Sequence, residues 1–276
     1  MIELRDVALR VGGHPLLERI SARVASGEFV ALLGPNGVGK TTLLRAIGGL
    51  HAASSGTILL DGQRTAKLRP IERARRIAFV SGDEVLLESI NVRETVAIGR
   101  FPYRRWWRWQ ADADDERAVE AALAAVRLDK FGERLFSTLS AGERQRVWIA
   151  LGLAQQTPIL LFDEPTSHLD VRVAHDILDL VRGLARAGKT VVCALHDLNE
   201  AAAYADRIAL LGSGSLLALA RPHELLAGSL LERVYGIAMD RVRLADGKLR
   251  VFARIMDGSS DAISAPIERR YPTPSE

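Results

Sequence analysis

Residues 34–41 read GPNGVGKT and combine the residue types that bind phosphate groups through the backbone. Gly34, Gly39, Lys40 and Thr41 match the spacing G-x-x-x-x-G-K-[ST], between an apolar run and a helical pattern. Glycines let backbone N–H groups converge on phosphate oxygens, and a helix N-terminus adds positive potential. Lys40 then reaches the β- and γ-phosphates, and the Thr41 hydroxyl is a ligand for Mg²⁺. The pattern predicts a nucleoside triphosphate site.

Two carboxylates and a histidine follow apolar runs that predict buried strands. Asp163 and Glu164 come directly after residues 159–162, and His196 follows residues 191–195. Because parallel strands end at one sheet edge, these side chains are expected beside the phosphate loop. There Asp163 suits Mg²⁺, Glu164 suits deprotonating a water, and His196 suits contact with the γ-phosphate. The alternative for Asp163 and Glu164 is a solvated turn, and the alternative for His196 is a histidine packed in the structure without a catalytic role.

Residues 139–143 read LSAGE and predict the start of a helix. Ser140 and Glu143 match a capping box, S-x-x-E, in which each side chain accepts a backbone hydrogen bond from the other residue. With the free amide of Gly142, this N-terminus is also a candidate anion site. A well-capped helix that binds no ligand is the alternative.

Strands and helices alternate around these motifs. Residues 2–9 and 17–24 alternate in hydrophobicity around Gly12 and Gly13, which predicts an antiparallel hairpin. Short runs that are apolar on both faces recur between helical stretches, as is typical of buried parallel strands in an α/β sheet. These runs are residues 159–162, 191–195 and 208–211, and residues 57–60 and 76–80 predict two further strands.

The middle of the chain, about residues 84–155, has a helical pattern in which Asp112 or Asp114 is the predicted cap of one helix. Further on, an Asp-Gly pair predicts a C-terminal β-hairpin extension over residues 241–256. Residues 257–276 are rich in serine, proline and charge, which predicts a flexible tail.

Composition bounds the class of protein. The chain has 276 residues, 48% of them hydrophobic, and a net charge of +3. This length fits one domain with an inserted subdomain. No apolar run is long enough to span a membrane, and the N-terminus lacks a secretory pattern. The single cysteine, Cys193, excludes an internal disulfide and predicts a buried, inert thiol.

Together the motifs resemble one family, the nucleotide-binding subunits of ABC transporters. LSAGE stands where the family has LSGGQ, DEPTSHLD at residues 163–170 matches its second carboxylate motif and dimer-contact loop, and His196 matches its switch histidine. Order and separations match over about residues 1–240, the expected ABC ATPase domain. The resemblance implies an α/β P-loop NTPase of ABC type. Its central sheet is mixed, with an N-terminal antiparallel β subdomain and an inserted helical subdomain.

Within the family, the chain looks most like importer ATPases for iron-siderophore, haem or cobalamin complexes, on residues 92–94, 99–103 and 144–150. This implies an ATP-hydrolysing subunit at the cytoplasmic face of the inner membrane. It also implies an integral membrane permease dimer as partner, an indirect role for an extracytoplasmic substrate-binding protein, and no nucleic acid. An exporter ATPase and a soluble ATPase acting on nucleic acid or ribosomes stay as alternatives.

The resemblance further implies a head-to-tail homodimer with two ATP molecules and Mg²⁺ between the subunits. Glu164 is then the catalytic base, His196 is the switch residue, and Thr41 and Asp163 hold Mg²⁺. One chain supplies the phosphate loop, and its partner supplies the signature residues. The implied cofactor-binding residues are Gly34, Pro35, Asn36, Gly37, Gly39, Lys40, Thr41, Thr42, Ser140, Gly142 and Asp170.

Two positions depart from the family pattern. Gly82 stands where a glutamine usually touches Mg²⁺ and relays to the permease, so Ser81, Asp83 or a water would have to substitute. Val11 stands where an aromatic residue usually stacks on adenine. Weaker stacking at Val11 predicts that GTP competes with ATP better than in typical members.

Residues 103–109, YRRWWRW, hold three of the four tryptophans. Interleaved arginine and tryptophan side chains suit a partner protein or lipid headgroups, or nucleic acid. A partly buried surface helix is the structural alternative.

Overall fold

The computed structural model describes residues 1–81, 89–104, 112–245 and 247–254. The strands are β1 (Ile2–Val11), β2 (His14–Val24), β3 (Phe29–Leu33), β4 (Ser55–Leu60), β5 (Gln63–Arg64), β6 (Ile77–Ser81), β7 (Ile159–Asp163), β8 (Thr190–Ala194), β9 (Arg207–Gly212), β10 (Ser215–Ala220), β11 (Met239–Arg243) and β12 (Leu249–Ala253). The α-helices are α1 (Lys40–Ile47), α2 (Pro70–Ala74), α3 (Val92–Ala97), α4 (Ala113–Ala125), α5 (Ala141–Ala154), α6 (Val171–Arg186), α7 (Leu198–Tyr204), α8 (Pro222–Ala227) and α9 (Leu230–Tyr235).

A six-stranded sheet, in the order β10-β9-β3-β8-β7-β6, positions the motifs. β9, β3, β8, β7 and β6 run parallel, and β10 pairs antiparallel with β9. Every residue of β3, β7 and β8 is buried, which explains why these strands are apolar on both faces. Their carboxyl ends share one edge of the sheet, and the phosphate loop, Glu164 and His196 all follow from that edge. The predicted mixed sheet is confirmed.

A second sheet, β2-β1-β4-β5, is antiparallel and forms the N-terminal β subdomain that the sequence predicts. Gly12 and Gly13 connect β1 to β2 with φ of 57° and 83°, which suits a two-residue hairpin turn. The apolar face of this sheet shares one core with α1 and the central sheet, including Leu9, Leu32 and Leu44. The antiparallel sheet therefore packs against β3 and α1, the two elements that flank the phosphate loop.

The segment predicted as helical contains α3, α4 and α5, although residues 84–88 and 105–111 lie outside the described part of the chain. Asp112 is the cap of α4, since its side chain accepts from the amides of Asp114 and Asp115 at 3.1 and 3.0 Å. These helices share a second core with one face of the central sheet. Gly82 and most of the arginine-tryptophan cluster, residues 105–109, are also outside the described residues.

After β10, the chain forms a C-terminal module, defined here as residues 222–245 and 247–254. β11 begins at Met239, two residues before the predicted hairpin, and pairs antiparallel with β12. The sequence patterns did not predict β10, α8 or α9, each only six residues long. The predicted tail, residues 257–276, lies outside the described residues. Among the described helices, none has the length and apolar character needed to cross a membrane.

Candidate active site

The phosphate loop connects β3 to α1 and depends on its glycines. Gly34, Gly37 and Gly39 have φ of 150°, 77° and 110°, values that residues with side chains rarely adopt. A Cβ atom on Gly34 would lie 2.5 Å from the carbonyl oxygen of Leu211, so a side chain does not fit there. Gly39 is the N-cap of α1, which has no side-chain cap and no acidic residue in its first turn. This N-terminus therefore suits an anion, as predicted.

Lys40 places a cation in the loop and is only 5% exposed. Its Nζ donates to the carbonyl oxygens of Gly34 at 2.9 Å and Pro35 at 3.4 Å. Burial lowers the pKa of Lys40, and the charges of Glu164 and Asp163 oppose that shift. Because the ammonium group is poorly solvated, its attraction to a phosphate is stronger than it would be in water.

Thr41 and Asp163 form a pair of oxygen ligands across the sheet edge. The Thr41 hydroxyl donates to Oδ1 of Asp163 at 3.0 Å, and Asp163 is buried at the end of β7. Within the described residues, no three His, Cys, Asp or Glu side chains cluster to hold a metal by themselves. Mg²⁺ usually takes one or two protein oxygens and completes its shell with water and phosphate, so this pair fits Mg²⁺.

Glu164 and His196 meet at the same edge. Nε2 of His196 lies 2.7 Å from Oε2 of Glu164, and both side chains are partly exposed, at 45% and 33%. Glu164 has a φ of 52°, a backbone conformation that costs about 1–3 kcal/mol for a residue with a side chain. The Ser167 hydroxyl also donates to Oε2 of Glu164, at 3.4 Å. The carboxylate is therefore held beside the histidine and open to a reactant.

An open cavity of about 830 Å³ joins these groups. One end is apolar, formed by Val11, which is 52% exposed, and Leu16. Among the described residues that line it there is no phenylalanine, tyrosine or tryptophan. The predicted site residues in its wall are Asn36, Gly37, Gly39, Lys40, Thr41, Thr42, Glu164 and His196. Gly34, Pro35 and Asp163 lie directly behind this wall, bonded to Lys40 or Thr41.

The remaining predicted residues, Ser140, Gly142 and Asp170, do not line the cavity. Ser140 caps α5 in the predicted capping box, accepting from Glu143 N at 3.3 Å while Glu143 accepts from Ser140 N at 2.7 Å. Asp170 caps α6, accepting from Val173 N at 3.0 Å. A Cβ atom on Gly142 would lie 2.8 Å from Val173 Cγ1, so the starts of α5 and α6 adjoin. One chain thus brings together only part of the predicted site.

Sequence reasoning missed four residues around the cavity. Leu16, Ser167 and His168 line it, and the phenol of Tyr235 in α9 lies close to the backbone of Gly34. Burial raises the pKa of Tyr235 to about 12, and the backbone of Gly34 opposes that shift. Ser167 and His168 belong to the DEPTSHLD segment, which the family resemblance assigned to a dimer-contact loop and not to the cavity wall. No sequence pattern around Tyr235 predicts that it lies close to Gly34.

Comparison with known proteins identifies the family. The family model for ABC transporters matches residues 17–167. Ferric enterobactin transport ATP-binding protein FepC of Escherichia coli (strain K12) is 38% identical over 234 residues, 84% of this chain and 86% of FepC. Hemin import ATP-binding protein HmuV of Nocardia farcinica is 44% identical over 232 residues, 83% of this chain and 80% of HmuV.

Solved structures agree with the fold. A putative metal-chelate type ABC transporter in an inward-facing conformation matches with a TM-score of 0.80 at 22% identity, covering 92% of this chain and 97% of the other. The ATP-binding cassette MJ0796, solved as a dimer bound to ADP and Pi after hydrolysis, matches with a TM-score of 0.69 at 30% identity, covering 80% and 99%. The P-loop NTPase fold of ABC type is confirmed, and the chain belongs to the ABC transporter family as an ATPase subunit.

Proposed function

We propose that this subunit powers import of a metal chelate, a ferric siderophore or haem, through a separate membrane permease. The observation that carries the chemistry is the 830 Å³ cavity, where Lys40, Thr41, Glu164 and His196 share one wall. The direction of transport and the cargo class rest on relatives named for ferric enterobactin, petrobactin and hemin.

Each side chain has a distinct role in this proposal. Lys40 and the first-turn amides of α1 bind the phosphates of ATP. Thr41 and Asp163 would hold Mg²⁺, which supplies charge neutralisation on the phosphate oxygens when bound. Glu164 accepts a proton from the attacking water, because its carboxylate faces the cavity. His196 holds Glu164 from the other side, at 2.7 Å, and contacts the transferred phosphoryl group.

The site is completed by a second copy of the chain. Ser140, Gly142 and Asp170 lie outside the cavity of their own subunit, so a partner placed head to tail contributes them. MJ0796, the related cassette, is a dimer. In the cell this homodimer binds a permease dimer at the cytoplasmic face of the inner membrane, and the permease receives cargo from an extracytoplasmic binding protein.

The deciding experiment is affinity purification from gently solubilised native membranes, followed by reconstitution of what co-purifies into ATP-loaded vesicles. We expect a stoichiometric polytopic permease and ATP-dependent uptake of haem or a ferric siderophore in the presence of its binding protein. A matched preparation with Glu164→Gln should retain the permease and lose uptake. Movement of cargo in the opposite direction would make the protein an exporter subunit. Recovery with RNA or ribosomal proteins, and no permease, would contradict the proposal.

A further inference from the structure

Asn199 connects the active-site side of the molecule to the C-terminal module. Its Nδ2 donates to the carbonyl oxygen of Val251 at 2.9 Å, and its Oδ1 accepts from Val251 N at 3.0 Å. The amide of this one side chain thus satisfies both backbone groups of one residue in β12. Such paired bonds are what a neighbouring strand would supply.

The hairpin is arranged so that these two bonds are available. Val251 stands opposite Arg241 in the β11–β12 pair. In an antiparallel pair, the N–H and C=O of one residue both face the same side, and those of Val251 face Asn199 instead of β11. The Val251 side chain is buried in the main core, so the hairpin edge is fixed where Asn199 meets it.

Asn199 lies three residues after His196, in the first turn of α7. Asp197 caps this helix, accepting from the amides of Asn199 at 2.6 Å and Glu200 at 2.8 Å. On the other side of His196, Leu195 N donates to Leu32 O at 3.1 Å, which fixes the end of β8. The position of His196 therefore depends on β8 before it and on the start of α7 after it.

The C-terminal module is itself held firmly. Arg241 donates to the carbonyl oxygen of Leu226 at 2.7 Å and forms an ion pair with Glu232 at 2.7 Å, which ties β11 to α8 and α9. In α9, Val234 packs against the end of β9 at Gly212. Tyr235, at the end of the same helix, lies close to the backbone of Gly34 in the phosphate loop. The module therefore lies beside the phosphate loop as well as beside the start of α7.

We infer that Asn199 is a positioning residue for hydrolysis, and that through it the C-terminal module holds the start of α7 and keeps His196 beside Glu164. The inference rests on the proposed roles of Glu164 and His196. It gives the C-terminal module a part in the chemistry, although none of its residues lines the cavity. Loss of the Asn199–Val251 bonds should affect the hydrolytic step and leave ATP binding by the phosphate loop intact.

Two variants separate this role from simple helix stabilisation. Asn199→Leu keeps the number and branching of the side-chain heavy atoms and removes both bonds. Asn199→Asp removes the donor to Val251 O while placing a negative charge near the N-terminus of α7, which favours the helix. For both we expect kcat for ATP to fall about five- to tenfold, with KM within about twofold. In the full-length chain, the imidazole NMR signals of His196, assigned by their loss in His196→Ala, should shift.

Asp240→Asn is the matched control, because Asp240 pairs with Arg254 on the exposed face of the same hairpin. We expect its kcat and its His196 signals to match wild type. Normal kcat and unshifted His196 signals in Asn199→Leu and Asn199→Asp, with His196→Ala inactive, would overturn the inference alone. Retained activity in Asn199→Asp with loss in Asn199→Leu would reduce Asn199 to a helix-stabilising residue. Full activity of His196→Ala would overturn the proposed role of His196 as well.

Discussion

The N-termini of α1 and α5 both face a nucleotide in the proposed dimer, but the two helices are capped differently. α1 starts at Gly39 with no side-chain cap and no acidic residue in its first turn. α5 starts at Ser140, whose hydroxyl and the carboxylate of Glu143 form a complete capping box. Lys40 is buried at the first terminus, whereas Ser140 is exposed at the second.

This difference indicates how ATP binding is divided between two surfaces, the N-terminus of α1 with its loop (the α1 surface) and the N-terminus of α5 (the α5 surface). An uncapped N-terminus keeps its amides for an anion, so the α1 surface is prepared to bind phosphate in a single chain. At α5 the capping box already satisfies the amides of Ser140 and Glu143 and places a negative charge nearby, so α5 gains less from an anion although the amide of Gly142 stays free. We therefore expect affinity for ATP to come mainly from α1 and its loop, and α5 to act once a second subunit approaches.

The largest expected effect is on the α1 surface. Lys40→Ala removes the buried ammonium that faces the phosphates, and we expect ATPase activity to fall about 10²–10³-fold, with nucleotide affinity also lost. Isothermal titration with ATP and a phosphate-release assay measure both. Lys67→Ala, at an exposed lysine, is the control and should behave as wild type. Unchanged ATP affinity in Lys40→Ala would place the binding energy elsewhere.

Glu164→Gln tests the step that follows binding. Without a carboxylate to accept the proton of water, we expect turnover to fall about 100-fold while ATP still binds. The ATP-bound dimer should then accumulate, seen as a doubling of mass by light scattering with Mg-ATP. A variant that stays monomeric and still turns over would show that Glu164 is not the base.

A smaller effect is expected on the α5 surface. Gly142→Ala places a Cβ atom 2.8 Å from Val173 Cγ1 and should displace the start of α5. We expect ATPase activity to fall about tenfold, with ATP affinity of the dilute monomer unchanged. Adding Val173→Ala removes the clash and should restore activity. If Gly142→Ala weakens ATP binding by the monomer, the two surfaces are not divided as described.

The smallest expected effect concerns binding of the adenine ring of ATP. Val11→Tyr offers a stacking surface at the apolar end of the cavity, and we expect ATP affinity to rise about fivefold. Competition binding should also show GTP displacing ATP from wild type more readily than from the variant. A strong ATP preference in wild type would contradict the role given to Val11.

The sequence predicts those parts of the molecule that depend on residues close together in the chain. The buried parallel strands are apolar on both faces, and the caps Asp112 and Ser140 bond amides two or three residues away. The phosphate loop and Asp163–Glu164 follow their strands directly. Their meeting at one edge could be predicted because parallel strands end together.

The contacts that escaped prediction join residues far apart in the chain. Tyr235 lies close to Gly34, and Asn199 is hydrogen-bonded to Val251, and no sequence spacing predicts either contact. β10, α8 and α9 were missed because six residues give too little periodicity to read. The local pattern marked Ser140 and Gly142 as a candidate anion site, but only the family resemblance implied that they act on the nucleotide of a partner subunit.

The order of the central sheet has a consequence for biosynthesis. β3, at residues 29–33, lies between β8 and β9, which end at residues 194 and 212. A nascent chain therefore displays two unpaired edges of its most apolar strand until most of the protein has left the ribosome. Pairings this distant in sequence form slowly, and exposed strand edges aggregate. Ribosome-stalled chains that end before β8 should therefore be protease-sensitive and chaperone-bound, with protection gained only once β9 has emerged.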